Sequence, residues 1–187
     1  HKWERGDDNW KGMTHLNPQA NYLYRQAEDL QILRGNNAVK RADYDHETGT
    51  FTNKKRMVPK PYIVMCGLHS LYLPQMRQAL DMKVYLDTDE NLRCYWKLGR
   101  DQGDRGIDRE TVMAQIEARR KDAERYIYPQ KQYADLVIRY FDPALTALKK
   151  PSKDYEASFS VEFLMDVGIN VEPVLALLRH KGVPGTL

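Results

Sequence analysis

Three short, continuous apolar runs constrain this chain most: Tyr62-Ile63-Val64-Met65, which closes at Gly67, Lys83-Val84-Tyr85-Leu86, which closes at Asp87, and Leu136-Val137-Ile138. Unbroken apolar runs of this length suit strands covered on both faces, the pattern of a parallel sheet. Between the first two, Leu73 to Leu80 has helical composition with Pro74 near its start. Strand, helix, strand is the order of an α/β sheet. With 187 residues, 42% of them hydrophobic, the chain can bury one proper core and falls in the size range of a single domain.

The remaining segments fit around that sheet. Asn17-Pro18 is a good helix start, because Asn caps free amides and Pro at the first turn needs no partner. Ala20, Leu23, Ala27, Leu30 and Leu33 then recur at steps of three and four, and Gly35 stops the run. Arg41 to Lys60 is polar, with Gly49 and Pro59, and reads as a long connection or hairpin able to carry ligand contacts. Asp87 with Glu90 forms a capping box for a helix through Leu92, Cys94, Tyr95 and Leu98, which Gly99, Gly103 and Gly106 interrupt. Asp108 caps a further helix through Val112, Ile116 and Ala123, with many Arg and Lys residues on its outer side. Phe159 to Leu164 is expected to be a strand, and Pro173 to His180 a short helix closed by Gly182.

Charge and cysteine usage exclude some functions. The formal charge is only +3, so no global field argues for nucleic acid or an anionic membrane surface. Cys66 and Cys94 make neither a disulfide framework nor a metal motif, which favours a reducing, cytoplasmic compartment. No apolar run approaches the roughly 20 residues needed to span a bilayer.

Four constellations could carry chemistry. Lys97-Leu98-Gly99-Arg100-Asp101-Gln102-Gly103-Asp104-Arg105-Gly106 sets three cations among three glycines. A mobile cationic segment of this kind suits phosphoryl transfer, where charge on the moving phosphoryl oxygens must be met by positioned Arg and Lys groups. The competing reading is a solvated helix end held by i,i+4 pairs such as Asp101 with Arg105. His1 and Arg5, four apart, could bind an anion together. Met65-Cys66-Gly67-Leu68-His69 puts a histidine just beyond a strand end, where open α/β sheets bind ligands, although such a histidine is more often a bonded structural residue. Tyr44-Asp45-His46 could offer stacking and hydroxyl recognition, or be an ordinary turn.

Taken in order, these pieces resemble the phosphoribulokinase branch of the phosphoribulokinase and uridine kinase family. Glu117-Ala118-Arg119-Arg120 leading to Tyr126-Ile127-Tyr128-Pro129-Gln130-Lys131-Gln132-Tyr133-Ala134-Asp135 is similar to the segment that follows that family's lid. Tyr95 to Asp101 with Arg105-Gly106 is similar to the lid itself, Tyr62 to Tyr72 to its strand and EGLH turn, and His1 to Arg5 to the His-three-residues-Arg element after its second strand. The resemblance runs from residue 1 to about Asp142. It implies a three-layer P-loop-kinase-like α/β domain with a mostly parallel sheet, here lacking its first strand and phosphate-loop helix. Residues 1–142 would form that domain, and 143–187 an extension of it that packs on the sheet or serves a contact between identical subunits.

The implied activity is transfer of the γ-phosphoryl group of ATP, with magnesium, to a hydroxyl of a sugar phosphate. His1 and Arg5 would hold the sugar phosphate with Tyr44 and His46 nearby, and His69 would line the acceptor site. Lys97, Arg100 and Arg105 would close over the phosphates while Asp101 orients the lid or substrate. The family's general base, an Asp three residues before the position of His1, would lie upstream of this sequence. Two departures stand out. Cys66 occupies the place of the Glu of EGLH, a poor exchange for a hard cation such as magnesium. No Gly is followed by Lys, so the GxxxxGK[ST] loop is absent in every register and is expected upstream. A uridine or cytidine kinase, and a non-catalytic nucleotide-binding module derived from a kinase, are the competing functions.

Overall fold

The computed structural model describes residues 2–45, 47–145, 155, 158–166, 168 and 170–182. A short helix α1 (Asp8–Gly12) and a 3-10 turn (Pro18–Ala20) lead into α2 (Leu23–Arg34). The expected single helix from Asn17 is thus split. Asn17 does cap, accepting from Gln19 N, but only for the 3-10 turn, and Tyr22 begins α2 without a side-chain cap. Gly35 is not the left-handed residue that ends α2; Asn36 takes that conformation, with φ of 60°.

The polar stretch after α2 folds as expected for a hairpin region. It holds two small antiparallel pairs, β1 (Val39–Arg41) with β4 (Lys55–Met57) and β2 (Tyr44–Asp45) with β3 (Thr50–Phe51). Helix α3 (Pro74–Gln78) follows, then β5 (Val84–Thr88), α4 (Glu90–Gly103), α5 (Arg109–Asp122), β6 (Leu136–Phe141), β7 (Ser160–Met165) and α6 (Glu172–His180). The principal sheet has the order β5-β6-β7, with β5 parallel to β6 and β7 antiparallel beside them. The expected parallel pairing is present between β5 and β6. β7 makes the described sheet mixed.

Two boundaries differ from the sequence reading. Residues 62–65 form no ladder, because a strand needs a hydrogen-bonding neighbour and none of the described strands lies beside them. Tyr62 is 92% and Val64 84% exposed, as is Leu86 at 63% on the free edge strand β5. Asp87 does not cap a helix: its register with Arg139 keeps it in the ladder, and Asp89 caps α4 instead by accepting from Asn91 N. Asp108 caps α5 as expected, accepting from Thr111 N. The chain then widens into one π turn (Ala123–Ile127) and tightens into 3-10 turns (Tyr128–Tyr133) before β6.

Two apolar clusters hold these elements. Leu23 and Ala27 of α2 pack on Leu73 and Met76 around α3. Cys94 and Leu98 of α4 pack on Val112 and Ile116 of α5. Leu92 and Val112 are fully buried. Leu92→Ala should therefore lower the free energy of unfolding in urea by about 2–5 kcal/mol, the cost of a core cavity; a loss below about 0.5 kcal/mol would show that α4 is not packed as described.

Candidate active site

Asp101 is the centre of the cationic segment. It follows Cys94 and Leu98 at steps of four and three, so the apolar stripe of α4 carries it inward, and it is 1% exposed. A carboxylate in that position must be compensated. Lys97 Nζ, one helical turn back, donates to Oδ2; Arg100 Nε donates to Oδ1 at 2.8 Å; and Arg105 Nη1 donates to the same oxygen at 3.2 Å. The structure therefore gathers all four residues expected to act as a flap. It does not place them on a glycine-broken loop. Gly99 and Gly103 lie inside α4 with no atom close to where a Cβ would stand, and only Gly106, with φ of 62°, takes a backbone form suited to glycine. The helix-end reading, with its Asp101–Arg105 pair, is also correct as geometry.

Arg5 packs against the β2–β3 hairpin, of which Tyr44 is part. Arg5 N donates to Gly49 O at 2.8 Å, and Arg5 Nη1 to Glu47 O at 3.3 Å. Gly49 is required here. With φ of 75°, a Cβ on it would come within 2.5 Å of Arg5 Cβ. Tyr44 stands edge-on to Phe51 across the hairpin at 5.4 Å. His1 and His46 lie outside the described residues.

His69 is buried, and its Nε2 donates to Leu16 O at 2.9 Å. That bond puts the proton on Nε2 and leaves Nδ1 as an acceptor. His69 is thus a bonded structural residue that also lines a cleft. The cleft, of about 150 Å³, lies between the 66–70 turn and the segment carrying His15, Asn21 and Gln26, with exposed Cys66 on its wall. The turn is braced from behind by Gln130, which is buried, accepts from Leu71 N and donates to Leu68 O and Tyr126 O.

Sequence reasoning missed His15, Gln130 and Arg119. Thr14 Oγ1 donates to Asp122 Oδ2 at 2.6 Å and ties the 14–16 segment to the end of α5. His15 is exposed at the surface, yet the protein atoms around its ring first, then the charges of Arg119, His69 and Lys97 among others, push its pKa down to about 4. Arg119 follows Val112 and Ile116 at steps of four and three, the same signal that marks Asp101 on α4. Burial lowers its pKa and the nearby Asp101 raises it again. Among the described residues no three metal-ligating side chains come together, and Cys66 offers a thiol where the resemblance calls for a carboxylate. These residues do not fit a protein-held magnesium.

An α/β domain with a clustered cationic element is the class that this fold and site define. The profile described as "Phosphoribulokinase / Uridine kinase family" matches residues 1–147, and the chain belongs to that family. It is 32% identical over 180 residues to a phosphoribulokinase of Synechocystis sp., covering 92% of this chain and 54% of that one. To the chloroplastic phosphoribulokinase of Mesembryanthemum crystallinum it is 38% identical over 138 residues, covering 74% and 35%. A uridine kinase of Staphylococcus haemolyticus is 34% identical over 113 residues, covering 59% and 55%. The solved phosphoribulokinase of Rhodobacter spheroides superposes with a TM-score of 0.66 at 20% identity, over 89% of this chain and 64% of that one. The chain thus spans about half the length of its first curated relative.

The two electrostatic sites give separate pH windows. Hydrogen bonds from Arg100 and then Lys97 hold the Asp101 carboxyl at about 2, against an ordinary 3.8. Its contribution to stability is present above 3.8 and is lost as pH falls toward 2. His15 behaves differently: the unfolded chain takes up its proton below 6.5 and the fold resists doing so until about 4, so stability falls across that interval. His15→Gln should reduce the upper slope of urea midpoint against pH, and Asp101→Asn the lower one. A His15→Gln profile superimposable on wild type would sink this account of His15.

Proposed function

We propose that this chain carries the cationic element and acceptor-binding wall of an ATP-dependent kinase that phosphorylates a hydroxyl of a sugar phosphate. The observation that carries the reading is the convergence of Lys97, Arg100 and Arg105 on one buried carboxylate. Three cations sharing one anion keep a net positive charge, and they are already positioned before any phosphate arrives. Stabilisation of this kind needs no reorganisation during the reaction. ATP, when bound, supplies the phosphoryl group. The acceptor oxygen bonds to the γ-phosphorus as the bridging P–O bond breaks and ADP leaves, and the hydroxyl proton passes to a general base. Lys97, Arg100 and Arg105 hold the equatorial charge, and Asp101 keeps them gathered. Magnesium enters this reading as the counter-ion of the nucleotide rather than as an ion bound by the described side chains.

His1 and Arg5 would hold the sugar phosphate with Tyr44 and His46 nearby, and His69 would line the acceptor site. The pairing of β7 with β6 supports treating residues 143–187 as an extension of the same domain. Two unpaired thiols, one of them exposed, favour a cytoplasmic setting. A nucleoside acceptor is the second reading, favoured by the similarity to a uridine kinase. A panel of ribulose 5-phosphate, uridine and cytidine separates the two, turnover of only the first being expected. In enzyme produced from the full reading frame, Arg100→Ala and Arg105→Ala should each lower kcat by about a hundredfold or more. Changes under about threefold in both would count against the cationic element as the phosphoryl site, and a frame without GxxxxGK[ST] would favour the non-catalytic module.

A further inference from the structure

Two hydrogen-bonded paths run from the carboxyl end of α5 to the turn that carries His69. On the first, Thr14 Oγ1 donates to Asp122, the last residue of α5, at 2.6 Å and accepts from Leu16 N at 3.2 Å, and Leu16 O accepts from His69 Nε2 at 2.9 Å. On the second, Gln130 Nε2 donates to Tyr126 O in the π turn at 2.8 Å and to Leu68 O at 2.9 Å, while Gln130 Oε1 accepts from Leu71 N at 3.0 Å. His69 is therefore gripped at its ring by one path and at the backbone on either side by the other. The turn's own bonds are local, from Ser70 to Gly67 O and from Tyr72 N to His69 O. A third contact follows the same line through rings, with Tyr72 edge-on to His69 at 5.9 Å and to Tyr126 at 6.2 Å.

Each path depends on the chemistry of one side chain. Gln130 uses both ends of its amide, donating to two carbonyls and accepting from an N–H. Ionised glutamate could only accept and would face two carbonyl oxygens, whereas methionine fills the space and has no N–H to donate. Thr14 must donate and accept at once, which a hydroxyl does and a methyl group does not. Gln130, His69, Leu16 and Leu71 are all buried, so a group that loses its partner there has no water to replace it. The helix that anchors both paths also carries Val112 and Ile116, which pack against Cys94 and Leu98 of α4 and so orient the Asp101 cluster. One helix thus sets both the cationic element and the His69 turn.

We infer that Thr14 and Gln130 are positioning residues, which act through His69 and hold it in register with the cationic element from a shared anchor at the carboxyl end of α5. The role of His69 toward the acceptor rests on the kinase reading above; the two straps do not. If the straps served stability alone, loosening them would lower the free energy of unfolding and leave the kinetics of the folded enzyme unaltered.

Four variants of the enzyme produced from the full reading frame separate these readings: Thr14→Val, Thr14→Ser, Gln130→Met and Gln130→Glu. Imidazole nitrogen chemical shifts should report His69 protonated at Nε2 in wild type and Thr14→Ser, and a mixture of tautomers in Thr14→Val. Exchange of the Leu71 amide should accelerate about tenfold or more in Gln130→Met, which has lost the acceptor, and stay near wild type in Gln130→Glu, which keeps it. The KM for the phosphoryl acceptor should rise about tenfold in Thr14→Val and Gln130→Met, with kcat and the KM for ATP within about threefold of wild type, and Thr14→Ser should restore it. Circular dichroism checks the fold, and if Gln130→Glu does not fold, Gln130→Met and the two Thr14 variants carry the test. An unchanged His69 tautomer and unchanged Leu71 exchange in folded variants would overturn the straps. Altered signals with a wild-type acceptor KM would overturn the positioning role. Altered signals in a protein that phosphorylates no acceptor would keep the straps on His69 and strike the kinase reading.

Discussion

A single carboxylate organises the chemistry of this chain. Asp101 sits on the inward stripe of α4, where water cannot solvate it, and so it has to recruit cations. Lys97, Arg100 and Arg105 answer from one turn before, the adjacent position and one turn after. Burial and cation recruitment are two sides of one constraint. Removing the carboxylate would leave three positive groups to repel one another, and removing the cations would strand a charge in an apolar groove. Helix α5 completes the arrangement, because Val112 and Ile116 form the apolar wall against which Cys94 and Leu98 fix the orientation of α4.

Much of this was legible in the residues. The apolar stripe Cys94, Leu98, Asp101 announces an inward carboxylate as soon as α4 is taken to be continuous, and the i,i+4 relations of Lys97 and Arg105 follow. What obscured it was glycine. Gly99 and Gly103 fall on the exposed side of α4, where no side chain is needed to pack, so they cost helix stability without ending the helix. Arg119 was hidden differently: in a helix crowded with Lys and Arg, one inward arginine looks like another surface charge. The 62–65 run shows the opposite limit. Its composition is that of a buried strand, but a ladder depends on a partner, and composition says nothing of where that partner comes from.

The outer edge of β5 belongs to the same discussion. Val84 and Leu86 are 42% and 63% exposed on an edge strand of a sheet otherwise built with apolar residues. Free edges of this kind pair readily with other strands. Side chains that would normally be covered are therefore displayed along that edge.

The π turn at Ala123–Ile127 has a quieter effect on the cleft beside His69. A wide turn adds a residue to a helical path without adding height, and so it resets the angle at which everything downstream leaves the axis. Here the reset aims the Gln130 amide at the back of the 68–71 backbone. Shortening 123–127 by one residue would swing that amide by about 100° round the axis, since a regular helix has 3.6 residues per turn. The wall bearing His69 would then lose its strut although no residue touching a substrate had changed. Chain length at this spot therefore matters to the shape of the site's floor as directly as the carboxylate at Asp101 matters to its charge.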